Sequence, residues 1–457
     1  MVYDTNRPPA LPSAALSTFS STSSSSSKQS PSIDTQLAHA GCGTSGVGKD
    51  EQHAGLTPPI FLASTFERGG DLEYPKGFVY GRAANPTRSL FEHTLADCES
   101  GGSEGLEGGG DVQGAAFASG MAAVSAIFQA SPGAHVLLPD DVYHGTRTVL
   151  QTVFDGWVTF EAVDFTNIGS VAASAGAAAT RLSLEQANTD DNCQKKTKRV
   201  IVWLESPSNP LLKVTDITAV ANSVRSAVAE ASKAVETLVV TDATWVSPAI
   251  MRPLELGSDL VLHSTTKYLG GHSDLVGGVI VGRAGRKEPS FFDELRHVQA
   301  TAGAVQAPFD CWLALRGMRS LGARMRMHCD NALQVAEFLD DHPAVAAVYY
   351  PGLQSHPGHT VMAQQCHEDS PGFGGMLSFQ PKGGYSAAVT VAASLKVFQR
   401  GTSLGGTESL VEHRRSIEPP DSPTPDDLLR LSVGLEAPRD LIRDLDQALG
   451  AVGKPRR

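Results

Sequence analysis

Residues 263–274 read HSTTKYLGGHSD and follow directly on the apolar run DLVLH at 259–263. The run predicts a short buried strand that ends in hydroxyl side chains, a lysine and a glycine pair. In open α/β sheets, ligands bind outside the carboxyl ends of the strands. A lone lysine is ordinarily a surface residue. At a strand end, however, Lys267 can form a Schiff base with an aldehyde, while Ser264 and Thr266 can donate to a phosphate.

Asp242 supplies a second element, because it closes the apolar run TLVVT at 237–241. An acid in such a place commonly caps a helix. A carboxylate there can also keep a pyridine nitrogen protonated, the state in which the ring accepts electrons. An aspartate and a lysine at the ends of consecutive strands therefore predict a site for pyridoxal 5′-phosphate (PLP).

Two weaker patterns agree with this prediction. Ser119-Gly120-Met121 is a turn that opens a predicted helix, and its free N–H groups can cradle a phosphate. Tyr143 can stack its ring on a flat cofactor, although a tyrosine by itself is more often a packing residue. Each pattern is common, so their value lies in the combination.

Alternating helices and short apolar strands set the expected fold. Strands are predicted at 135–138, 199–204, 237–241, 259–263 and 277–281, with helices at 121–130 and 217–235. This order predicts an α/β fold with a mostly parallel sheet covered by helices on both faces. Beyond residue 309 the pattern predicts a smaller α+β domain: a long helix at 309–340 broken near 317–322, strands at 345–350 and 374–379, and a helix at 438–449.

We divide the chain accordingly into four parts. They are a disordered Ser-rich tail at 1–33, an N-terminal arm at 34–86, a PLP-binding domain at 87–308 and a C-terminal domain at 309–457. Two polar stretches, 100–110 and 184–198, lack apolar periodicity and are predicted to be insertions.

Composition argues against several classes of function. The 457 residues carry a net charge of −12, which disfavours a nucleic-acid or anionic membrane surface. No apolar run approaches the roughly 20 residues of a membrane helix. The six cysteines are scattered without a CxxC pair, which favours reduced thiols and no metal site. We expect a cytoplasmic protein.

One motif imitates a different cofactor site. Residues 43–49 read GTSGVGK, as in a phosphate-binding P-loop, but Asp50 follows where Ser or Thr is needed and no buried strand precedes the run. We therefore do not expect a nucleotide there.

Taken together, the motifs resemble those of the Cys/Met-metabolism (transsulfuration) family of PLP enzymes. This family includes cystathionine γ-synthase, cystathionine γ-lyase, cystathionine β-lyase and methionine γ-lyase, and the resemblance covers residues 35–449. The motifs are YGRAANPT at 80–87, the Ser119-Gly120-Met121 turn, ESPSNP at 205–210, the Asp242 strand end, the lysine segment, SLGGTESL at 403–410 and LRLSVGLE at 429–436. The resemblance implies PLP fold type I and assigns roles to the matching residues.

The implied catalytic residues are Lys267, which binds PLP covalently and moves protons, Asp242 on the ring nitrogen, and Tyr143 on the ring face. Asn209 is implied to lie near the ring hydroxyl. The residues implied to bind phosphate are Gly120, Met121, Ser264 and Thr266, joined by Tyr80 and Arg82 of a neighbouring subunit.

For the substrate, the resemblance implies that Arg430 and Ser403 hold the α-carboxylate of an amino acid. The implied reaction is γ-elimination or γ-replacement on a homoserine-derived or sulfur amino acid, in a homodimer or homotetramer with shared active sites. Two alternatives remain open: another fold-type I PLP enzyme, such as an aminotransferase or a β-lyase, and a non-catalytic PLP-binding protein.

Departures from the family pattern bear on substrate choice. Val79 and Thr402 stand where members acting on cystathionine often carry acids, and Gly145 stands where methionine γ-lyase has a cysteine. The segment VEHRR at 411–415 also differs from the cystathionine branch. We therefore expect a neutral γ-leaving group to be preferred over cystathionine, unless another acid such as Glu412 receives the distal ammonium.

Overall fold

The computed structural model describes residues 31–42, 55–101, 112–187, 197–283, 290–419 and 422–452. The P-loop-like run at 43–49, nearly all of the Ser-rich tail and most of both predicted insertions lie outside these residues. Within the described ranges, no helix is both long enough and apolar enough to cross a membrane.

Seven strands form the larger sheet. They are β1 (Val112–Phe117), β2 (His135–Pro139), β3 (Thr159–Val163), β4 (Lys198–Glu205), β5 (Val235–Asp242), β6 (Leu260–Ser264) and β7 (Gly278–Arg283). Their order is β1-β7-β6-β5-β4-β2-β3, and only β7 runs antiparallel to its neighbours. The predicted mostly parallel sheet is thus confirmed.

Both faces of this sheet are buried. On β4, Val200 and Val202 join one apolar cluster, while Ile201 and Trp203 join the cluster on the opposite face. Because side chains alternate along a strand, a strand covered on both sides must be apolar at every position. The covering helices include α2 (Pro86–Glu99), α3 (Gly120–Gln129), α4 (His144–Thr152), α5 (Ile168–Ala187), α6 (Ile217–Ala231), α7 (Phe291–Ala302) and α8 (Pro308–Met318).

A second sheet of five strands follows in the C-terminal part. Its strands are β8 (Val345–Tyr349), β9 (Met376–Pro381), β10 (Gln399–Arg400), β11 (Leu410–His413) and β12 (Leu429–Ser432), in the order β10-β11-β12-β9-β8. A separate apolar cluster joins it to its helices. These are α9 (Leu321–Asp341), α11 (Gly384–Ser394) and α12 (Pro438–Leu449), while α10 (His359–Gln365) precedes β9.

Two segments predicted from the sequence, the helix at 217–235 and the insertion at 184–198, have different boundaries in the structure. The helix predicted at 217–235 ends at Ala231, and Val235 instead begins β5, paired with Lys198. The supposed insertion at 184–198 begins inside α5, which extends to Ala187, and ends in β4. An Ala- and Val-rich run suits a helix and a strand alike, so its end is decided by pairing and packing.

The described part of the N-terminal arm contains a short helix. This helix, α1 (Ile33–Ala38), buries Ile33 and Leu37, so the proposed division between residues 33 and 34 falls inside it. Helix α2 begins at Pro86, where the Asn85 side chain accepts from the N–H groups of Thr87 and Arg88. An Asn N-cap followed by Pro at the first helical position is a strong local start signal.

Candidate active site

The start of α3 and the end of β6 come together as a cradle. Ser119 caps α3 by accepting from the N–H of Ala122 at 3.0 Å. A Cβ added to Gly120 would lie 3.2 Å from both Cβ and Oγ of Ser264. Glycine therefore lets the positive helix end approach the Ser264 hydroxyl, a donor set that fits a phosphate.

Thr266 and Met121 are the other two residues of this chain predicted to bind the phosphate. The Thr266 hydroxyl accepts from the N–H of Gly277 at 3.1 Å, so it is already bound to backbone. A Cβ added to Gly145 would lie 2.4 Å from Cε1 of Tyr143 and 3.2 Å from the sulfur of Met121. The Tyr143 ring thus occupies the space that a cysteine at residue 145 would need.

Lys267 is held by a hydroxyl across the site. Its Nζ donates to Ser403 Oγ at 2.6 Å. Ser403 has a φ of 97°, a conformation that costs a non-glycine residue energy and is retained where the surroundings impose it. Burial lowers the pKa of Lys267 to about 8, with the positive charge of Arg430 acting in the same direction and Glu412 opposing it.

This lowered pKa predicts the pH dependence of cofactor capture. At pH 7.5, a pKa of about 8 leaves roughly a quarter of the amine neutral, against about one part in a thousand at the ordinary value of 10.5. The rate at which the cofactor-free chain gains a visible band with PLP should therefore rise through pH 8 and then level off. Borohydride reduction should leave the pyridoxyl label on Lys267. A midpoint near pH 10, or a label elsewhere, contradicts the assignment.

Asp242 ends β5, and no lysine or arginine is paired with its carboxyl among the residues that the structure describes. It accepts from the N–H of Thr244 at 3.0 Å, and the Thr244 hydroxyl in turn accepts from the N–H of Ser264 at 2.9 Å. Burial raises the pKa of Asp242, while the hydrogen bonds from Thr244 work against the rise. A protonated ring nitrogen supplies the countercharge that such a carboxylate needs, so the site fits PLP.

Glu205 is a buried residue of this site that the sequence did not single out. It pairs with Asp242 across β4 and β5, and it accepts from the N–H of Tyr143 at 2.9 Å. Burial, with Asp242 next to it, raises the pKa of Glu205 well above its ordinary value. The ESPSNP motif was the available signal, but nothing in it indicates this contact.

Arg430 lies beside the lysine in a fully buried setting. Its Nη1 donates to Asn209 Oδ1 at 3.1 Å, while Nη2 donates to the carbonyl of Ser403 at 3.2 Å and to Glu412 at 2.6 Å. Burial lowers the pKa of Arg430 to about 10, helped by Arg414 and opposed by Glu412. The structure thus brings Arg430, Ser403, Asn209 and Lys267 together.

Tyr80 and Arg82 are placed differently. Arg82 donates to the carbonyl of Ala300 near the end of α7 and lies 5.8 Å from the centre of the Tyr80 ring. Tyr80 is 48% exposed, and Arg82 is exposed as well. These contacts leave both side chains accessible from outside the chain.

His263 has a structural role, as its position within a buried strand predicts. Its Nε2 lies 2.5 Å from Glu99 Oε1, with both side chains buried. His272 is hydrogen-bonded to the carbonyl of Gly270 at 2.8 Å. Both histidines are therefore engaged in hydrogen bonds within the chain.

Comparison with known proteins decides the family. Residues 34–450 match the model of the family described as Cys/Met metabolism PLP-dependent enzyme. The chain belongs to this family. It is therefore a PLP-dependent enzyme, and the predicted fold class and cofactor are confirmed.

The similar proteins include cystathionine synthases and a cystathionine lyase. A cystathionine gamma-synthase of Mycobacterium tuberculosis is 41% identical, over 89% of this chain and 98% of the relative. A cystathionine beta-lyase of Coxiella burnetii is 38% identical, over 91% and 97%. A crystal structure of cystathionine gamma synthase from Xanthomonas oryzae pv. oryzae, in complex with aminoacrylate and cysteine, has a TM-score of 0.77 and 34% identity, over 92% of this chain and 98% of that one.

Proposed function

We propose that this enzyme carries out γ-replacement or γ-elimination on a homoserine-derived or sulfur amino acid. The observation that carries the proposal is the contact of Lys267 Nζ with Ser403 Oγ, next to the guanidinium of Arg430. This arrangement sets a mobile base beside a group suited to an amino-acid carboxylate. The name of the similar cystathionine gamma-synthases supports the same class of chemistry.

In this proposal each residue has a defined task. Arg430 binds the substrate α-carboxylate, with Asn209 and the Ser403 carbonyl orienting its guanidinium. Asp242 holds the ring nitrogen of PLP protonated, and Gly120 and Ser264 bind its phosphate. PLP, when bound, withdraws electrons from the substrate carbons, which lets a γ-substituent depart.

Lys267 is the proposed proton carrier. Its lowered pKa makes the amine an effective base near neutral pH, since general bases work best when their pKa lies near the working pH. The Ser403 hydroxyl accepts a hydrogen bond from Nζ and so fixes the position of the amine. The Tyr143 N–H donates to Glu205, which positions the tyrosine so that its ring can stack on the PLP ring.

Product analysis separates the open alternatives. The holoenzyme would be given an O-acyl-homoserine with and without cysteine, then cystathionine, homocysteine and methionine. Cystathionine formed with cysteine indicates γ-replacement, and 2-oxobutanoate formed without it indicates γ-elimination. Pyruvate formed from cystathionine would instead indicate a β-lyase. Conversion of PLP to its amine form with a keto acid would instead support an aminotransferase. A protein that binds PLP and turns over none of these compounds would support the non-catalytic alternative.

The distal end of the substrate gives a prediction on specificity. Val79 and Thr402 are exposed and uncharged, and Glu412 is already bound to two guanidiniums. An unpaired ammonium in a partly dry pocket costs on the order of a few kcal/mol, or roughly one to three decades in kcat/KM. An O-acyl-homoserine should therefore be preferred over cystathionine in a mixture of both.

This specificity can be tested by placing an acid at residue 402, with the neutral amide of the same length as the control. Thr402→Glu, next to Ser403, should raise the share of cystathionine consumed, whereas Thr402→Gln should not. If the unmodified enzyme prefers cystathionine, the hypothesis that it prefers a neutral γ-leaving group is wrong.

We further propose a homodimer or homotetramer with shared active sites, in the cytoplasm. Support for sharing comes from Tyr80 and Arg82, whose side chains are exposed and therefore accessible to a partner's phosphate site. The free thiols among the described cysteines fit a reducing compartment.

A further inference from the structure

A buried chain of four charges runs behind the substrate site. Oε2 of Glu412 accepts from Nη2 of Arg430 at 2.6 Å and from Nη1 of Arg414 at 2.7 Å. Arg414 also donates to Glu418 through Nη2. The side chains of Arg430, Glu412, Arg414 and Glu418 are 4%, 8%, 1% and 3% exposed.

The pairing of β11 with β12 creates this chain. Glu412 lies directly opposite Arg430 in the antiparallel register, so the two side chains share one face of the sheet. Arg414 follows at the start of a short 3₁₀ turn, Arg414–Ser416, with its N–H bound to the carbonyl of Leu428. These residues belong to the VEHRR segment that departs from the cystathionine branch.

The charges explain why Arg430 needs this support. Its other acceptors, Asn209 and the Ser403 carbonyl, are neutral. A buried guanidinium without a carboxylate is costly, and here Arg414 adds a second positive charge nearby. Because one Glu412 oxygen accepts from both guanidiniums, it ties the position of Arg430 to that of Arg414.

We propose that Glu412 is a positioning residue that orients Arg430 for the substrate α-carboxylate, and that Arg414 and Glu418 hold Glu412 in turn. The inference rests on the proposed function in one respect, the assignment of Arg430 to a substrate carboxylate. It explains what the unusual VEHRR segment contributes.

The first test compares Glu412→Gln with Glu294→Gln in the holoenzyme. Glu294 also binds a buried arginine, Arg199 at the start of β4, but it lies on α7 outside the buried chain of charges, so it is the matched control. With O-acetyl-homoserine, Glu412→Gln should raise KM roughly tenfold or more and leave kcat within about threefold, because carboxylate binding serves ground state and transition state alike. Glu294→Gln should change KM by less than about threefold.

A second measurement does not depend on turnover. The absorbance of the bound cofactor would be titrated with L-alanine and with ethylamine, which lacks the carboxylate. Glu412→Gln should raise the Kd of L-alanine and leave that of ethylamine unchanged. A general structural defect would weaken both alike, and that result overturns the proposal, as does an unchanged alanine Kd.

Two further outcomes are informative. If Glu412→Gln does not fold, Glu412→Asp retains the charge but withdraws it by one methylene, and it should shift the alanine Kd in the same direction. If the unmodified enzyme turns over no γ-substituted amino acid, the proposed function fails, but the ratio of alanine to ethylamine Kd still tests the role of Glu412.

Discussion

Asp242→Asn is expected to lower kcat by at least about 10- to 100-fold. Hydrogen bonds to charged groups contribute about 1.5–3 kcal/mol, and each 1.36 kcal/mol of barrier is a factor of ten in rate. A neutral amide cannot hold the proton on the ring nitrogen, so the electron-withdrawing state of PLP is lost. Steady-state kinetics with saturating PLP measures the effect.

The same substitution should not weaken the cofactor-free chain. Burial raises the pKa of Asp242, so its ionised form is disfavoured in the folded chain and stability falls as the pH rises through that pKa. Asn removes this penalty and can still accept from Thr244. Thermal unfolding of the cofactor-free protein at pH 7.5 should therefore give an equal or higher Tm.

Asp216→Asn is the matched control. Asp216 is a true helix cap that accepts from the N–H of Ala219 at 2.8 Å, and Asn caps equally well. Its activity should stay close to that of the unmodified enzyme. Turnover of Asp242→Asn within a few-fold of that level would show that another group protonates the ring.

Mixing two inactive variants should restore activity. Lys267→Ala removes the cofactor-binding amine, and Arg82→Ala removes a proposed phosphate ligand that acts in a partner's site. In a hybrid dimer, one site combines Lys267 from one chain with Arg82 from the other, so about half of the sites are intact. Each parent should be nearly inactive.

The hybrids require verification and a control. Differently tagged chains would be denatured, mixed and refolded, and doubly tagged molecules purified before the assay. Asp242→Ala mixed with Lys267→Ala should give no recovery, since both residues belong to the same chain's site. No recovery in verified Arg82→Ala and Lys267→Ala hybrids would mean that each site is built from a single chain.

Several features could be predicted because their signals are local. An apolar run buried on both faces specifies a central strand, and polar side chains at its end identify the ligand edge. This signal predicts Asp242 and Lys267 as site residues. The break between α8 and α9 was likewise predictable, because two glycines interrupt the helical pattern there.

Other features needed the folded chain, since they join residues far apart in sequence. Glu205 meets Asp242 through strand pairing and reaches Tyr143 across a loop. Glu412, considered from sequence as a partner for a substrate ammonium, is bound instead to Arg430 and Arg414.

The sequence by itself determined the fold class, the cofactor and the strand ends that carry Lys267 and Asp242, because these depend on apolar periodicity and on residue types at short spacing. Only the tertiary structure decided which charged side chains are buried together and where α6 ends. It also decided that Glu412 of β11 lies on the same face of the sheet as Arg430. Strand register and packing fix those contacts, and a change of one residue in register would turn Glu412 to the opposite face.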